Sequence, residues 1–380
     1  MPERAQAKPS SPRPRVRAGA PVRRATVIGA GSFGTALAVV LARSGVRTTL
    51  QARTEQQAAE LAERRENGRY LPGVELPGAL RVEPASAGVA RADLVFLAVP
   101  SRSMDETIGA LRDSALGEGA AVISLAKGLT SARGLPPTMV LSEAFGADRV
   151  ACIGGPAHSR ELVHAGAALV AASTDEELAG TLAALFTHAG VVCEKSNDPV
   201  GVELAGAAKN AAALAAGATE AQGLNAAGAA AGHIFAEVWR FAAGLGARPE
   251  SLIGLAGTGD LVATALARES RNRRAGELLA EGTPASEIPA KIGQAVEALE
   301  SVPLLAQTLA SAGVEAPVTG ALGRLIGGEL PLAEWVALVR ATVPPPARWR
   351  RRTADARGAR SAAGARSVWQ RVRAILGARR

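Results

Sequence analysis

Residues 25–28, Ala-Thr-Val-Ile, lead directly into Gly29-Ala30-Gly31-Ser32-Phe33-Gly34, and a helix is predicted over 35–44. This order constrains the chain more than any other feature in it. A buried strand must enter a tight turn, and the turn must open a helix. Gly29 permits the turn, Gly31 lets a pyrophosphate approach the backbone, and Gly34 lets the helix pack close to the strand. The N–H groups at the helix start, aligned with the helix dipole, then favour phosphate. A glycine-rich loop alone is a weak signal; a strand before it and a helix after it indicate a dinucleotide-binding α/β unit.

The pattern continues downstream. Apolar runs at 48–52, 92–99, 120–126 and 149–153, with shorter ones at 167–171 and 191–193, alternate with helical segments. Apolar strands alternating with helices predict a parallel, doubly wound sheet. After Pro199 the β-branched runs almost vanish, and Ala-rich helical periodicity continues to about residue 339. The expected organisation is therefore a Rossmann α/β domain over 22–198 followed by an all-α domain over 199–343 that carries the substrate and catalytic groups. A disordered basic tail is expected over 1–21 and a basic C-terminal tail over 344–380.

The chain has 380 residues, 48% hydrophobic and 21% charged, which suits a packed protein of two domains. Aromatics make up only 3%, so its apolar mass is Ala, Val and Leu, and close helix packing is favoured. The net charge of +8 sits in the ends: seven Lys and Arg oppose Glu3 within 1–24, and eleven Arg oppose Asp355 within 345–380, leaving an acidic body. Attraction to nucleic acid or to an anionic membrane would belong to the tails and not to the core. Segment 367–376 reads either as a short basic amphipathic helix or as an unstructured tail. Cys152 and Cys193 lie in apolar runs without metal or redox spacing, so two buried thiols in a reducing cytoplasm are expected, and no metal. Residues 1–21 lack the apolar core of a secretory signal. The Ala-rich stretch 202–231 contains Glu203, Lys209, Asn210, Glu220, Gln222 and Asn225, which argues for a buried helix and against a membrane span.

At the end of the second predicted strand, where an acid would bind the ribose 2′-OH of NAD, the chain reads Leu50-Gln51-Ala52-Arg53-Thr54. An acid there repels a 2′-phosphate and Arg53 attracts one, so NADPH is expected to be accepted and preferred over NADH. Lys127, in Ala126-Lys127-Gly128, and Gly154-Gly155-Pro156 follow the ends of predicted strands, where such folds bind ligands. Lys209 stands in an apolar helix; desolvation lowers an amine pKa, which suits proton transfer to a carbonyl oxygen near neutral pH. Asp260 can pair with a lysine, and Arg271 with Ser270 and Asn272 can hold a phosphate.

The ordered motifs GAGSFGTALA, NGRYLPGVELP, ADLVFLAVPS, LAKGL, GGPA, DPVGVELAGAAKN, LAGTGDLV, SRNRRAGELL and GQAVEA span about 22–331. Together they make the chain resemble bacterial NAD(P)-dependent glycerol-3-phosphate dehydrogenase. The resemblance implies a Rossmann domain and a helical domain with the active site between them. The implied reaction reduces dihydroxyacetone phosphate to sn-glycerol 3-phosphate, the backbone of phospholipids. It implies Lys209 as the acid/base residue, Lys127 at substrate and nicotinamide, Gly155 beside the substrate, and Asp260 orienting Lys209 with Asn210 and Thr264 assisting. Ser270, Arg271 and Asn272 would bind the phosphate side of the substrate, and Arg271 would also reach the cofactor. Ser32, Phe33, Arg53, Tyr70, Ser159, Ala295 and Glu297 would join Gly29, Gly31 and Gly34 around the cofactor. A homodimer in the cytoplasm is expected, with weak membrane contact through the basic tail.

The chain departs from the family pattern after Gly-Pro, where Ala157, His158 and Ser159 replace a hydroxyl residue, an aromatic and Ala. It departs again at Ala227 and His233, where basic residues are usual, with Asn225 retained, at Ala298 for Gly, and at Phe33 for the common Trp. These departures keep two alternatives open: a related dehydrogenase acting on another phosphorylated or acidic ketone, and a catalytically degenerate NADP-binding scaffold.

Overall fold

The computed structural model describes residues 22–343 apart from 115, 132 and 268; the tails expected over 1–21 and 344–380, with segment 367–376, lie outside the described residues. The described strands are β1 (Arg24–Ile28), β2 (Arg47–Ala52), β3 (Glu66–Asn67), β4 (Leu71–Glu75), β5 (Arg81–Pro84), β6 (Leu94–Leu97), β7 (Ala121–Ser124), β8 (Val150–Gly154), β9 (Ala168–Ser173) and β10 (Val192–Ser196). Eight of them form one sheet in the order β10-β9-β8-β7-β6-β1-β2-β5, and β3 with β4 forms a small hairpin. Interleaved with the strands are α1 (Ser32–Arg43), α2 (Glu55–Arg64), α3 (Met104–Asp113), α4 (Pro137–Phe145), α5 (Ser159–His164) and α6 (Glu176–His188). From Pro199 the chain is helical: α7 (Pro199–Thr219), α8 (Leu224–Gly244), α9 (Pro249–Ile253), α10 (Asp260–Leu266), α11 (Arg271–Ala280), α12 (Ile288–Ile292), α13 (Glu297–Ser311), α14 (Pro317–Ile326) and α15 (Leu332–Ala341).

From β5 to β8 the main sheet is parallel. The expectation of a wholly parallel sheet is corrected at one edge, where β9 runs antiparallel to β8, with Ile153 opposite Ala171, and β10 follows β9 in parallel. The connection explains the reversal. Helix α5 has six residues and so rises only about 9 Å, too little to carry the chain back along a strand. The loop instead closes on its own edge, Ala168 N donating to Pro156 O at 3.4 Å. Helix α1 begins at Ser32, earlier than predicted, because extended Gly31 already accepts the first helical hydrogen bond from Thr35 N at 3.0 Å. Cys152 is buried in β8, whereas Cys193 on the edge strand β10 is only half-buried, which corrects the expectation of two buried thiols.

Period-two alternation in the central strands divides the core in two. In β6, Val95 and Leu97 pack with the helices that follow Pro199, while Leu94 and Phe96 pack with α1 and α6. The helical half thus lies directly on one face of the sheet. Helix α7 is buried on nearly every side, as an apolar helix with no polar face must be. Its charged residues are not stray. Glu203 accepts hydrogen bonds from Thr138 N and Oγ1 at the start of α4. Glu237 on α8 does the same for Val318 N, Thr319 N and Thr319 Oγ1 at the start of α14. Asp198 caps α7 at Gly201 N and also takes Arg248 N and Ser251 Oγ. Glu203 and Glu237 each satisfy orphan N–H groups of a helix remote in sequence, and Asp198 does so for its own helix. Among the described residues no helix is long and apolar enough to cross a membrane, and no cluster of His, Cys, Asp or Glu could hold a metal ion.

Candidate active site

Strands β1, β6 and β7 end in register, with Ile28 beside Leu97 and Leu97 beside Ser124, and β8 passes Ser124 at Cys152 and ends two residues further on, at Gly154. The segments that follow them therefore share one edge: the glycine turn, 98–101, 125–128 and 154–156. Successive strands leave β1 outward to β2 and then return to its other side at β6, so the turn sits at the switch point where such sheets bind ligands.

Gly29 has φ of +111°, and a Cβ there would lie 2.4 Å from Ala98 O; a Cβ on Gly34 would lie 2.0 Å from Gly29 O. Both places exclude a side chain. A Cβ on Gly31 would meet nothing within 4 Å, so the outer side of the turn is open. The first turn of α1 carries no acid, and no side chain caps it. An open glycine face before an uncapped, acid-free helix start fits a dinucleotide pyrophosphate. Ser32 and Phe33 lie on that first turn, and Phe33 packs partly on the core below. Arg53 follows β2, exposed, its N–H donating to Gln57 Oε1 at 3.2 Å. Tyr70 occupies the β3–β4 turn, with the Arg69 guanidinium 5.2 Å from its ring centroid. Sequence reading assigned no role to Asn67, yet its buried Nδ2 donates to Ala30 O at 3.0 Å and to Thr35 Oγ1 at 2.8 Å.

Three ionisable groups meet across the sheet and the helices. Lys127, beyond β7, donates from Nζ to Asp260 Oδ2 at 2.5 Å and to Gly155 O at 3.3 Å. Lys209, midway along α7, lies 3.4 Å from Asp260 Oδ1 and donates to Thr264 Oγ1 at 3.2 Å. Thr264 in turn donates to Asp260 Oδ1 at 3.4 Å. Asp260 opens α10 directly after a π-helical turn, Leu255–Gly259, a feature often found at functional sites. The Lys127 stem lies against α7 at Gly206, where a Cβ would stand 3.4 Å from it, at ordinary contact distance. Asp260 holds Lys127 more closely than Lys209, so the carboxylate serves both amines and not Lys209 alone.

Burial pushes the pKa of Lys209 down to about 8, and the Lys127 ammonium pushes the same way against the opposing pull of Asp260 and Glu297. Burial also works against the Asp260 carboxylate, but the two ammonium groups outweigh it and hold its pKa below the usual range. Two cations on one carboxylate leave a surplus positive charge beside the strand ends, suited to an oxygen that gains negative charge.

A chain of amides flanks this trio. Asn272 Nδ2 donates to Asn210 Oδ1 at 2.8 Å, and Asn210 Nδ2 donates to Lys127 O at 3.1 Å and to Glu297 Oε2 at 3.2 Å. Asn210 thereby fixes the backbone of Lys127. Arg271 donates from Nη1 to Ala295 O at 3.0 Å, and Ser270 caps α11 by accepting from Arg273 N at 3.3 Å. Arg271, Arg274 and Lys291 line a cavity of about 300 Å³ with Glu269, Leu278 and Ile292. Ser159 opens α5 beyond Gly155, on the same edge. His158 Nε2 lies 3.4 Å from Ala263 O, packed against α10. Asn225, Ala227 and His233 lie along α8, with Asn225 exposed. Among the predicted residues, Lys127, Gly155, Lys209, Asn210, Asp260, Thr264, Asn272 and Glu297 make one connected network, Arg271 bonds Ala295, and Ser32 and Phe33 lie on the helix that the glycine turn opens.

The two halves of the chain match two halves of one family. Residues 24–179 match the NAD-dependent glycerol-3-phosphate dehydrogenase N-terminus, and residues 198–337 match its C-terminus. The glycerol-3-phosphate dehydrogenase [NAD(P)+] of Deinococcus radiodurans is 40% identical over 317 residues, covering 82% of this chain and 92% of that protein. The enzyme of the same name from Methylococcus capsulatus is 36% identical over 327 residues, covering 84% and 97%. The crystal structure of glycerol-3-phosphate dehydrogenase from Coxiella burnetii superimposes with a TM-score of 0.79 at 30% identity, covering 84% of this chain and 99% of that one. With both halves matched and full-length relatives at this identity, the chain belongs to the NAD-dependent glycerol-3-phosphate dehydrogenase family.

Proposed function

We propose that the protein catalyses the NADPH-linked reduction of dihydroxyacetone phosphate to sn-glycerol 3-phosphate, with NADH as a poorer donor. The observation that carries this reading is the Asp260 carboxylate gripping Lys127 and Lys209 together at the strand ends. Bound NADPH would supply the hydride to the carbonyl carbon. The Lys209 ammonium gives its proton to the carbonyl oxygen, the ketone becomes a secondary alcohol, and the neutral amine is reprotonated from solvent. A pKa of about 8 keeps Lys209 largely protonated near neutrality while making the proton easy to surrender. Lys127 stabilises the same oxygen, and Asp260 holds both amines in place and favours the charged form of Lys209.

The phosphate of the substrate falls to Ser270, Arg271 and Asn272 at the start of α11, with Arg271 shared with the cofactor. Gly29, Gly31, Ser32, Phe33, Gly34, Arg53, Tyr70, Ser159, Ala295 and Glu297 hold the dinucleotide. Residues 22–198 act as the cofactor half and 199–343 as the substrate half. The product suits phospholipid synthesis in the cytoplasm, and a homodimer is the assembly we favour; the basic tail would bring the enzyme weakly to anionic membranes. The test is NADPH absorbance with dihydroxyacetone phosphate, NADH in parallel, and a panel of other phosphorylated and acidic ketones. Rapid oxidation only with another ketone would transfer the assignment to a related dehydrogenase, as Ala157 and Ala227 allow; none with any ketone would favour a binding scaffold.

A further inference from the structure

We infer that Asn67 is the positioning residue of the dinucleotide cradle, fixing the glycine turn from outside the strand–turn–helix unit. Sequence alone gives no reason to connect them: Asn67 ends the two-residue strand β3, 37 positions beyond Ala30. The structure brings its side chain under the turn, where it is buried. One N–H of the amide donates to Ala30 O at 3.0 Å, the other to Thr35 Oγ1 at 2.8 Å. Its Oδ1 accepts from Tyr70 N at 3.4 Å, and its carbonyl accepts from the same N–H at 3.1 Å.

The consequences follow from what each partner does. Ala30 is the second residue of the glycine turn, and Thr35 is fully buried in the first turn of α1. Holding the Ala30 carbonyl inward sets the peptide plane between Ala30 and Gly31, so the N–H groups that follow stay aimed at the open side. Gly31 has no side chain to resist rotation of that plane, and a Cβ there would touch nothing within 4 Å. The restraint must come from another element, and Asn67 supplies it. The same side chain anchors the backbone of Tyr70, one of the residues placed beside the cofactor. A single amide thus keeps the cradle and the hairpin in register. This inference rests on the reading that the glycine turn holds the dinucleotide.

The test is NADPH binding, measured by fluorescence titration without substrate, on wild type, Asn67→Ala and Asn67→Ser, together with kcat and both KM values. Asn67→Ala removes both donors and leaves two buried acceptors unpaired, so NADPH affinity is expected to fall about tenfold or more. Asn67→Ser keeps one hydroxyl donor and is expected to fall less. At saturating NADPH, kcat and the KM for dihydroxyacetone phosphate should stay within about threefold of wild type, because cofactor binding and not the chemical step is affected. A residue that served only the fold would lower the melting temperature and the active fraction with NADPH affinity unchanged; that result overturns the inference, as does failure of both variants to fold. Wild type that binds NADPH but reduces no ketone would defeat the proposed reaction and leave the Asn67 test standing.

Discussion

Replacing Asp260 by Asn should move the pH dependence of the reaction, not merely lower its rate. In the wild type, burial and Lys127 depress Lys209 while Asp260, 3.4 Å away, raises it, with the balance at about 8. Asn keeps the size of the side chain and removes the charge. An opposite charge at this range raises an amine pKa by about 1–3 units, so its loss drops Lys209 to about 5–7. Taking about 6, the protonated fraction near pH 7.5 falls from about three-quarters to about one in thirty, a loss of about 25-fold, yet near pH 6 the loss is only about twofold. The assay is kcat/KM for dihydroxyacetone phosphate against pH, followed by NADPH absorbance. The alkaline limb, which reports the acid in the free enzyme, should lie near 8 in the wild type and at least one unit lower in Asp260→Asn. A limb that stays in place beneath a uniform loss of rate would refute the reasoning and leave Asp260 an orienting group only.

Other expected outcomes follow from the same structure. Arg53→Asp should reverse the coenzyme preference by at least about tenfold in the ratio of kcat/KM for NADPH to that for NADH, because a carboxylate repels the 2′-phosphate and can bind the 2′-OH; an unchanged ratio would remove Arg53 from the cofactor site. Gly276→Ala would place a Cβ 2.0 Å from Leu214 O and 2.6 Å from Ala218 N, backbone that cannot yield. It should cost about 1–3 kcal/mol in denaturant melts and, by shifting α11, raise the KM for dihydroxyacetone phosphate; a wild-type melt would contradict the packing. For Glu203, burial outweighs the hydrogen bonds from Thr138 and raises the pKa from 4.5 to about 7. Its contribution is complete below the unfolded pKa and is lost as pH rises through about 7, which amounts to about 3 kcal/mol at most. Glu203→Gln should therefore flatten the stability profile between about pH 5 and about pH 8, and an unaltered slope would show that another group titrates there.

The parts of the fold legible in the sequence are those written in local pattern. Fully buried central strands such as β6 and β7 leave continuous apolar runs, and the strand, glycine turn and helix at 25–43 carry their own punctuation. The direction of β9 was not legible, since an apolar run has no polarity and only the brevity of α5 forces the reversal. The β3–β4 hairpin escaped because β3 has two residues and β4 contains Pro72 and Gly73, which read as loop. Within the site, Lys127, Lys209 and Asp260 were identifiable through their motifs, but their convergence joins segments up to 133 positions apart. Periodicity cannot report such a contact. The same holds for Asn67, and for Glu203 and Glu237, whose helix-capping partners lie 65 and 81 positions away. Polar groups whose partners are remote stay invisible until the chain is folded.

The central claim is that the amine of Lys209 delivers the proton. Replacing it by Met removes the ammonium, keeps much of the stem volume and leaves Lys127 paired with Asp260. The measurement is kcat for dihydroxyacetone phosphate at saturating NADPH, with NADPH affinity titrated alongside. The kcat should fall at least ~10²-fold with the NADPH dissociation constant unchanged; turnover within a few-fold of wild type would contradict proton delivery by Lys209.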